Sequence, residues 1–94
     1  AVQTLLKADN PLKDYKLGAL KLLKIKNKEG IDLNARLILP ADFDVAKKYP
    51  VIVYVYGGPH GQMVTDRWLC GWPLWFQYMA ERGFLIFTLD NRGT

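Results

Sequence analysis

Serine is absent from this 94-residue sequence, and histidine and cysteine occur once each. A serine-type hydrolytic triad needs a nucleophilic hydroxyl, a base and an orienting carboxylate, so the chain cannot hold such a triad by itself. The lone histidine, His60, is therefore expected to be a loop residue without a catalytic partner. The lone cysteine, Cys70, excludes an internal disulfide and any multi-cysteine metal site, and we expect it to be a buried apolar residue.

Long apolar segments are also missing. No run approaches the roughly 20 residues that a membrane-spanning helix needs, and the start Ala1-Val2-Gln3 is unlike a signal peptide. Half of the residues are nevertheless hydrophobic and 23% are charged, which is typical of a globular chain. At this length we expect one small domain or a piece of a larger one.

The net charge of +4 comes mainly from lysines in the first half of the chain. They are scattered, without interleaved arginines or stacking aromatics, so they predict a solvated strand face and argue against nucleic-acid binding. Asp42 and Asp44 lie close together in a polar stretch, but their spacing fits no calcium-binding loop. We therefore expect a solvated turn there, and no metal or cofactor.

The most strand-like stretch runs from Val51 to Tyr56. Its unbroken series of β-branched and aromatic residues predicts a strand that is buried on both faces, as in a parallel sheet. Gly57, Gly58 and Pro59 then end the strand, because the glycines permit a sharp turn and the proline lacks a backbone donor. Tyr56 is thus placed at the carboxyl end of a strand, where open α/β sheets bind ligands.

The rest of the chain predicts an α/β fold. Residues 1–19 are expected to be a connector with a short helix that begins at Pro11, is capped by Asn10 and ends at Gly18. Two alternating runs joined by a turn at Gly30 predict a β-hairpin, and the lysines of its first strand place that strand near a sheet edge. The expected hairpin strands are Leu20–Lys28 and Ile31–Leu39.

A second pair of elements follows the Val51–Tyr56 strand. Pro73 opens a predicted helix that continues to Arg82, with Gly83 as its left-handed stop and apolar residues around most of its circumference. Phe84–Leu89 reads as another buried strand. Strand, helix and strand predict a right-handed βαβ unit, and with the hairpin this gives a mixed four-stranded sheet.

Tyr56 is the principal candidate for chemistry. A phenol at a strand end can donate a hydrogen bond to an oxyanion, while the following glycines let backbone amides approach the same atom. From spacing alone, a tyrosine that only packs its ring and hydrogen-bonds a neighbouring loop is the favoured interpretation. Asp90 ends a strand and could be catalytic, but a local ion pair or backbone hydrogen bonds in its Asp-x-Arg-Gly turn are expected instead.

Several segments together resemble the start of the catalytic domain of the prolyl oligopeptidase family, in its bacterial dipeptidyl peptidase IV branch. They are Tyr49–Gln62 with its Tyr-Gly-Gly-Pro motif, Trp75–Ala80, Gly83-Phe84 and Asp90–Thr94 with its Asp-x-Arg-Gly motif. The resemblance implies a partial α/β-hydrolase fold over residues 20–94, following the end of a β-propeller and a connector in residues 1–19. It also implies a periplasmic or extracytoplasmic peptidase.

The resemblance further implies removal of N-terminal dipeptides from a peptide substrate, commonly after proline or alanine. The tyrosine that matches Tyr56 supplies its hydroxyl to the oxyanion hole in that family, beside a backbone amide. The Gly-x-Ser-x-Gly elbow and the aspartate and histidine of the triad lie downstream in the family, and the glutamates that bind the substrate amine lie in the propeller. We therefore expect this chain alone to be inactive, with no substrate-binding residues assigned.

Two other interpretations stay open at the level of the sequence. The chain could be a non-catalytic module that associates with itself or with a partner, through an exposed sheet edge or its apolar helix. It could also be a fragment of an acyl-peptide hydrolase or esterase. We expect a homo-oligomer for the isolated chain.

Overall fold

A computed structural model describes residues 1–71 and 74–94, without the side chains of residues 70 and 71. The described chain contains a sheet and one α-helix. Its strands are β1 (Leu20–Lys26), β2 (Asp32–Ile38), β3 (Val51–Val53) and β4 (Leu85–Leu89). The helix α1 spans Trp75–Glu81 and is preceded by a short 3₁₀ helix at Trp68–Gly71. The α/β class predicted from the sequence is confirmed.

The four strands form one mixed sheet in the order β1, β2, β4, β3. β1 and β2 are antiparallel and joined by a turn in which Gly30 has a φ of 80°. β2 is also antiparallel to β4, whereas β3 pairs with β4 in the parallel sense. The lysine-bearing β1 lies at one edge, as its lysines predict.

The core lies where α1 packs on the middle of the sheet. Ile38, Phe76, Ala80 and Ile86 form one buried hydrophobic cluster that joins β2, α1 and β4. Helix α1 buries Phe76, Gln77 and Ala80, while Trp75 and Tyr78 on its other side are about half exposed. The helix is therefore covered on one side, not on the several sides that its apolar circumference predicts.

The two central strands, β2 and β4, also hold a buried arginine side chain. Arg36 on β2 is fully buried, its Nη2 donates to Thr88 Oγ1 on β4 at 2.8 Å, and its guanidinium lies 5.1 Å from the centre of the Phe76 ring. The hydrogen bond and the cation–π contact provide partners for a charge that would be costly to bury alone. Arg36 thereby links β2, β4 and α1 across the core.

The prediction of a long buried strand at Val51–Tyr56 is wrong in length and in burial. β3 contains three residues, and Val51 and Val53 are 52% and 61% exposed. The reason is topological, since β3 lies at the sheet edge and has β4 on one side only. An apolar run shows that a strand can be buried, but the position of the strand in the sheet determines whether it is buried.

The predicted helix at Pro11–Gly18 is also wrong. Residues 11–15 form turns, with Lys13 N donating to Asn10 O and Tyr15 N to Leu12 O, and Asn10 Oδ1 accepts from Leu12 N at 2.9 Å. An Asn side chain that binds the backbone two residues on offers an alternative to the helical ladder. Gly18 instead lies against the backbone that directly follows β2, because a Cβ at this residue would collide with the carbonyl oxygen of Leu39.

The end of α1 agrees with the sequence. Gly83 follows the helix with a φ of 93°, and its N donates to Ala80 O at 3.0 Å, as expected of a left-handed stop. The predicted opening of the helix at Pro73 lies outside the described residues. Within the described part of the chain, no helix combines the length and the apolar character needed to cross a membrane.

Candidate functional site

The candidate site begins where β3 leaves the sheet. Tyr54 N still donates to Phe87 O of β4 at 2.9 Å, and the Tyr54 ring meets the Phe76 ring edge-on at 5.2 Å between centres. Two residues later Tyr56 is 59% exposed. The chain therefore carries an accessible phenol three residues beyond the last residue of β3, the strand that pairs in parallel with β4.

The backbone after Tyr56 turns back beneath its ring. Gly57 has a φ of 72° and His60 a φ of 65°, both in the left-handed region that favours glycine. A Cβ on Gly58 would lie 2.9 Å from Tyr56 Cε1, and a Cβ on Gly61 would lie 2.6 Å from the same atom. The two glycines thus lack side chains where the ring lies against the loop, which explains why small residues follow the tyrosine.

Asp90 lies at the end of β4 and is 6% exposed. Its Oδ1 accepts from Met63 N at 2.8 Å and its Oδ2 from Val64 N at 3.0 Å. Its own backbone N donates to Asn34 O of β2. The carboxylate therefore joins the end of β4 to the segment that follows the Tyr56 loop.

Two alternatives are expected for the Asp-x-Arg-Gly turn, a local ion pair or backbone hydrogen bonds, and Asp90 forms the second; Arg92 pairs with Glu29 in the β1–β2 turn. The backbone hydrogen bonds expected of Asp90 exist, but they reach residues 26 and 27 positions away. The involvement of Met63 and Val64 was not predicted. Their own residue types give no signal for it, and only an aspartate at a buried strand end hints at a backbone partner.

The remaining candidates of the sequence play smaller parts. His60 is exposed in the loop. Asp44 Oδ1 accepts from Ala46 N at 2.9 Å and Asp42 is exposed, which agrees with a solvated turn. The predicted burial of the Cys70 side chain lies outside the described part of the structure. Among the described residues, no three histidine, cysteine, aspartate or glutamate side chains cluster as metal ligands.

A cavity of about 310 Å³ opens beside Asp90, between the start of β2 and the last residues of the chain. Its lining includes Asn34, Gln62, Asp90, Asn91 and Arg92. Tyr56 does not line it, so the structure brings Asp90 and the segment after the loop together and leaves the phenol on open surface. The arrangement offers a hydrogen-bond donor, and the sequence contains no serine that could act as a nucleophile beside it.

Comparison with known proteins identifies relatives of the chain. No family model matches the chain. Over 84 residues it is 39% identical to dipeptidyl peptidase 4 of Arthroderma otae, a match that covers 88% of this chain and 11% of that protein. The chain is homologous to a segment of dipeptidyl peptidase 4.

Solved structures agree with that assignment. A Bacteroides ovatus protein assigned as a dipeptidyl aminopeptidase IV is 53% identical with a TM-score of 0.85, over 94% of this chain and 13% of that one. Porphyromonas gingivalis dipeptidyl peptidase 4 is 36% identical with a TM-score of 0.76, over 88% of this chain and 11% of that one. The resemblance to the dipeptidyl peptidase IV branch is therefore confirmed, for a chain that spans about a tenth of its relatives' length.

Proposed function

We propose that this chain is part of a longer serine peptidase that removes dipeptides from the N-termini of peptides, after proline or alanine, and that Tyr56 contributes its hydroxyl to the oxyanion hole. The homology to dipeptidyl peptidase 4 supports the reaction class. The observation that carries the role of Tyr56 is its position, exposed at the carboxyl end of a parallel strand and followed by a glycine turn.

The proposed chemistry assigns one electrostatic task to this chain. When a nucleophile attacks the scissile carbonyl, negative charge develops on the carbonyl oxygen, and a phenol that donates a hydrogen bond there stabilises the transition state. The missing side chains at Gly58 and Gly61 let the ring lie against its own loop. Because the chain contains no serine, the nucleophile must come from elsewhere in the peptidase. We therefore propose that the 94 residues alone are inactive.

The proposal also assigns the two parts of the chain to domains of the peptidase. Residues 1–19 would be the connector from a β-propeller, and residues 20–94 the N-terminal portion of an α/β-hydrolase domain. The β1–β2 pair would be its first hairpin, and β3, α1 and β4 a βαβ unit, whose crossover is right-handed in nearly all proteins. The parallel pairing of β3 with β4 across α1 supports this assignment.

The oxyanion role is tested by Tyr56→Phe in the full-length peptidase, assayed with a proline-containing dipeptidyl chromogenic substrate. Loss of one oxyanion-hole donor lowers kcat about 100-fold to 1000-fold, and we expect a drop in this range with KM nearly unchanged. Tyr15→Phe is the matched control, since Tyr15 is an exposed tyrosine in the connector. An unchanged kcat in Tyr56→Phe would remove the hydroxyl from the reaction, and turnover by the isolated 94 residues would contradict their inactivity.

A second candidate function is self-association of the isolated chain, supported by exposed apolar surface at β3 and α1. Val51 and Val53 are more than half exposed on an edge strand, and Trp75 and Tyr78 are about half exposed. Exposed strand edges can pair with each other. We expect a dimer or higher oligomer by light scattering at micromolar concentration, and a smaller mass for Val53→Lys; a monodisperse wild-type monomer would contradict it.

A further inference from the structure

The loop that carries Tyr56 is attached to one strand at both of its ends. At its start, Tyr54 N donates to Phe87 O of β4 at 2.9 Å. At its far end, the Asp90 carboxylate accepts from Met63 N and Val64 N at 2.8 and 3.0 Å. Phe87 lies on β4 and Asp90 directly follows its last residue, so the two ends of the loop are attached three positions apart, at β4 and at the residue that follows it.

The second attachment lies two residues along the chain from the backbone that contacts the ring of Tyr56. The ring lies against Gly58 and Gly61, and Gly61 precedes Met63 by two residues. Val64 is buried, and its carbonyl oxygen also accepts from Gln62 Nε2 at 3.0 Å. A displacement of the Met63 and Val64 amides would therefore shift the backbone against which the ring packs.

We propose that Asp90 is the positioning residue for Tyr56, acting through the amides of Met63 and Val64 to hold the loop in the geometry that aims the hydroxyl. The proposal rests on the oxyanion role proposed above for Tyr56. It assigns Asp90 no contact with the substrate and no proton transfer. The aspartate at the end of β4 and the tyrosine at the end of β3 then form one functional unit, although 34 residues separate them in the chain.

A carboxylate suits this task better than the amide of the same shape. Two backbone donors converge on Asp90, and an ionised carboxylate offers two accepting oxygens, whereas asparagine offers one oxygen and an NH₂ group that repels the second N–H. Hydrogen bonds to an ionised acceptor are also shorter and stronger than neutral ones. Asp90→Asn thus releases one anchor while keeping the volume of the buried side chain.

The test is a double-mutant cycle in the full-length peptidase with Asp90→Asn, Tyr56→Phe and the two together. We expect Asp90→Asn to lower kcat about 10-fold with KM within about twofold, because misplacing a positioned group by a fraction of its contact distance costs rate, not affinity. The double variant should be nearly as fast as Tyr56→Phe alone. Once the hydroxyl is gone, displacing the ring removes no further hydrogen bond to the oxyanion. Asp44→Asn is the matched control, an exposed aspartate that also accepts from a backbone N–H.

The outcomes separate the two proposals. An unchanged kcat in Tyr56→Phe sinks the oxyanion role, whereas a large loss there combined with multiplicative effects in the double variant sinks only the positioning role of Asp90. An Asp90→Asn protein with wild-type kcat overturns it as well. Hydrogen exchange on the wild-type peptidase gives a readout that needs no variant: the amides of Met63 and Val64 should be protected as strongly as those of β4, and rapid exchange would contradict the anchor.

Discussion

β3 and β4 are neighbouring parallel strands with similar apolar sequences, yet the structure treats them oppositely. β4 has β2 on one side and β3 on the other, and its Ile86 and Thr88 are fully buried. β3 has one neighbour, and in each paired position its residue is the more exposed: Ile52 is partly exposed beside the fully buried Ile86, and Val53 is 61% exposed beside the partly buried Phe87. Composition therefore sets which strands can be buried, and the order of strands sets which ones are.

This difference separates two regions of the molecule: a scaffold, made of β2, β4 and α1, and a presented segment, made of β3 and the loop that follows it with Tyr56. Buried contacts between β2, β4 and α1 should supply most of the stability, because apolar burial is concentrated there. The proposed chemistry lies on the exposed continuation of β3, which is joined to β4 by the Tyr54–Phe87 hydrogen bond and to Asp90 by two more. The three predictions that follow test whether these two regions are as distinct energetically as they are in exposure.

The largest contrast is expected between the truncation of a buried side chain on β4 and the truncation of an exposed side chain on β3. Ile86→Ala removes a fully buried side chain from the core, and a change of this kind costs about 2 to 5 kcal/mol of unfolding free energy. Val53→Ala on β3 should cost less than about 0.5 kcal/mol, as substitutions at exposed positions usually do. Urea unfolding of both variants measures the difference. Equal losses would show that the edge strand carries core-like packing, and the division would fail.

A smaller contrast is expected between two arginines that both contact aromatic rings. Arg36→Ala removes the fully buried hydrogen bond to Thr88 Oγ1 and the contact with Phe76, so we expect a loss of about 2 to 3 kcal/mol. Arg82 lies 4.7 Å from the centre of the exposed Tyr78 ring, where a cation–π contact is worth about 0.5 to 1 kcal/mol. Thermal unfolding of Arg36→Ala and Arg82→Ala measures the two losses of stability. A larger loss in Arg82→Ala would show that burial does not govern how much an arginine contributes.

Patterns local in sequence predicted the scaffold well. Alternation placed both strands of the first pair with errors only at their ends, and glycine chemistry located the turn at Gly30 and the helix stop at Gly83. These features depend on residues within a few positions of each other. The predicted helix at residue 11 failed because Asn10 formed a side-chain turn, a competing interaction of the same short range.

The candidate site was predicted in part. Tyr56 could be singled out because strand ends and glycine turns depend on residues close together in the sequence. The relatives confirm the family resemblance of the chain, and the role of Tyr56 stays a proposal. The link from Asp90 to Met63 and Val64 could not be read from the sequence, since it joins residues 26 and 27 positions apart and uses backbone donors that every residue type has. Its role for Tyr56 stays a prediction.

The smallest expected effect tests how closely the presented segment depends on the missing side chains of its glycines. Gly58→Ala places a Cβ 2.9 Å from Tyr56 Cε1, a distance at which the exposed ring must move. Because a ring that moves carries its hydroxyl with it, we expect kcat of the full-length peptidase to fall about 10-fold, with an unchanged melting temperature. Tyr56→Phe with Gly58→Ala is the control, and the added alanine should then change kcat little.

A wild-type kcat in Gly58→Ala would mean that the hydroxyl reaches its place without the ring contact. A lower melting temperature would mean that the loop belongs to the scaffold, and the contrast between the two regions would have to be drawn nearer the sheet edge.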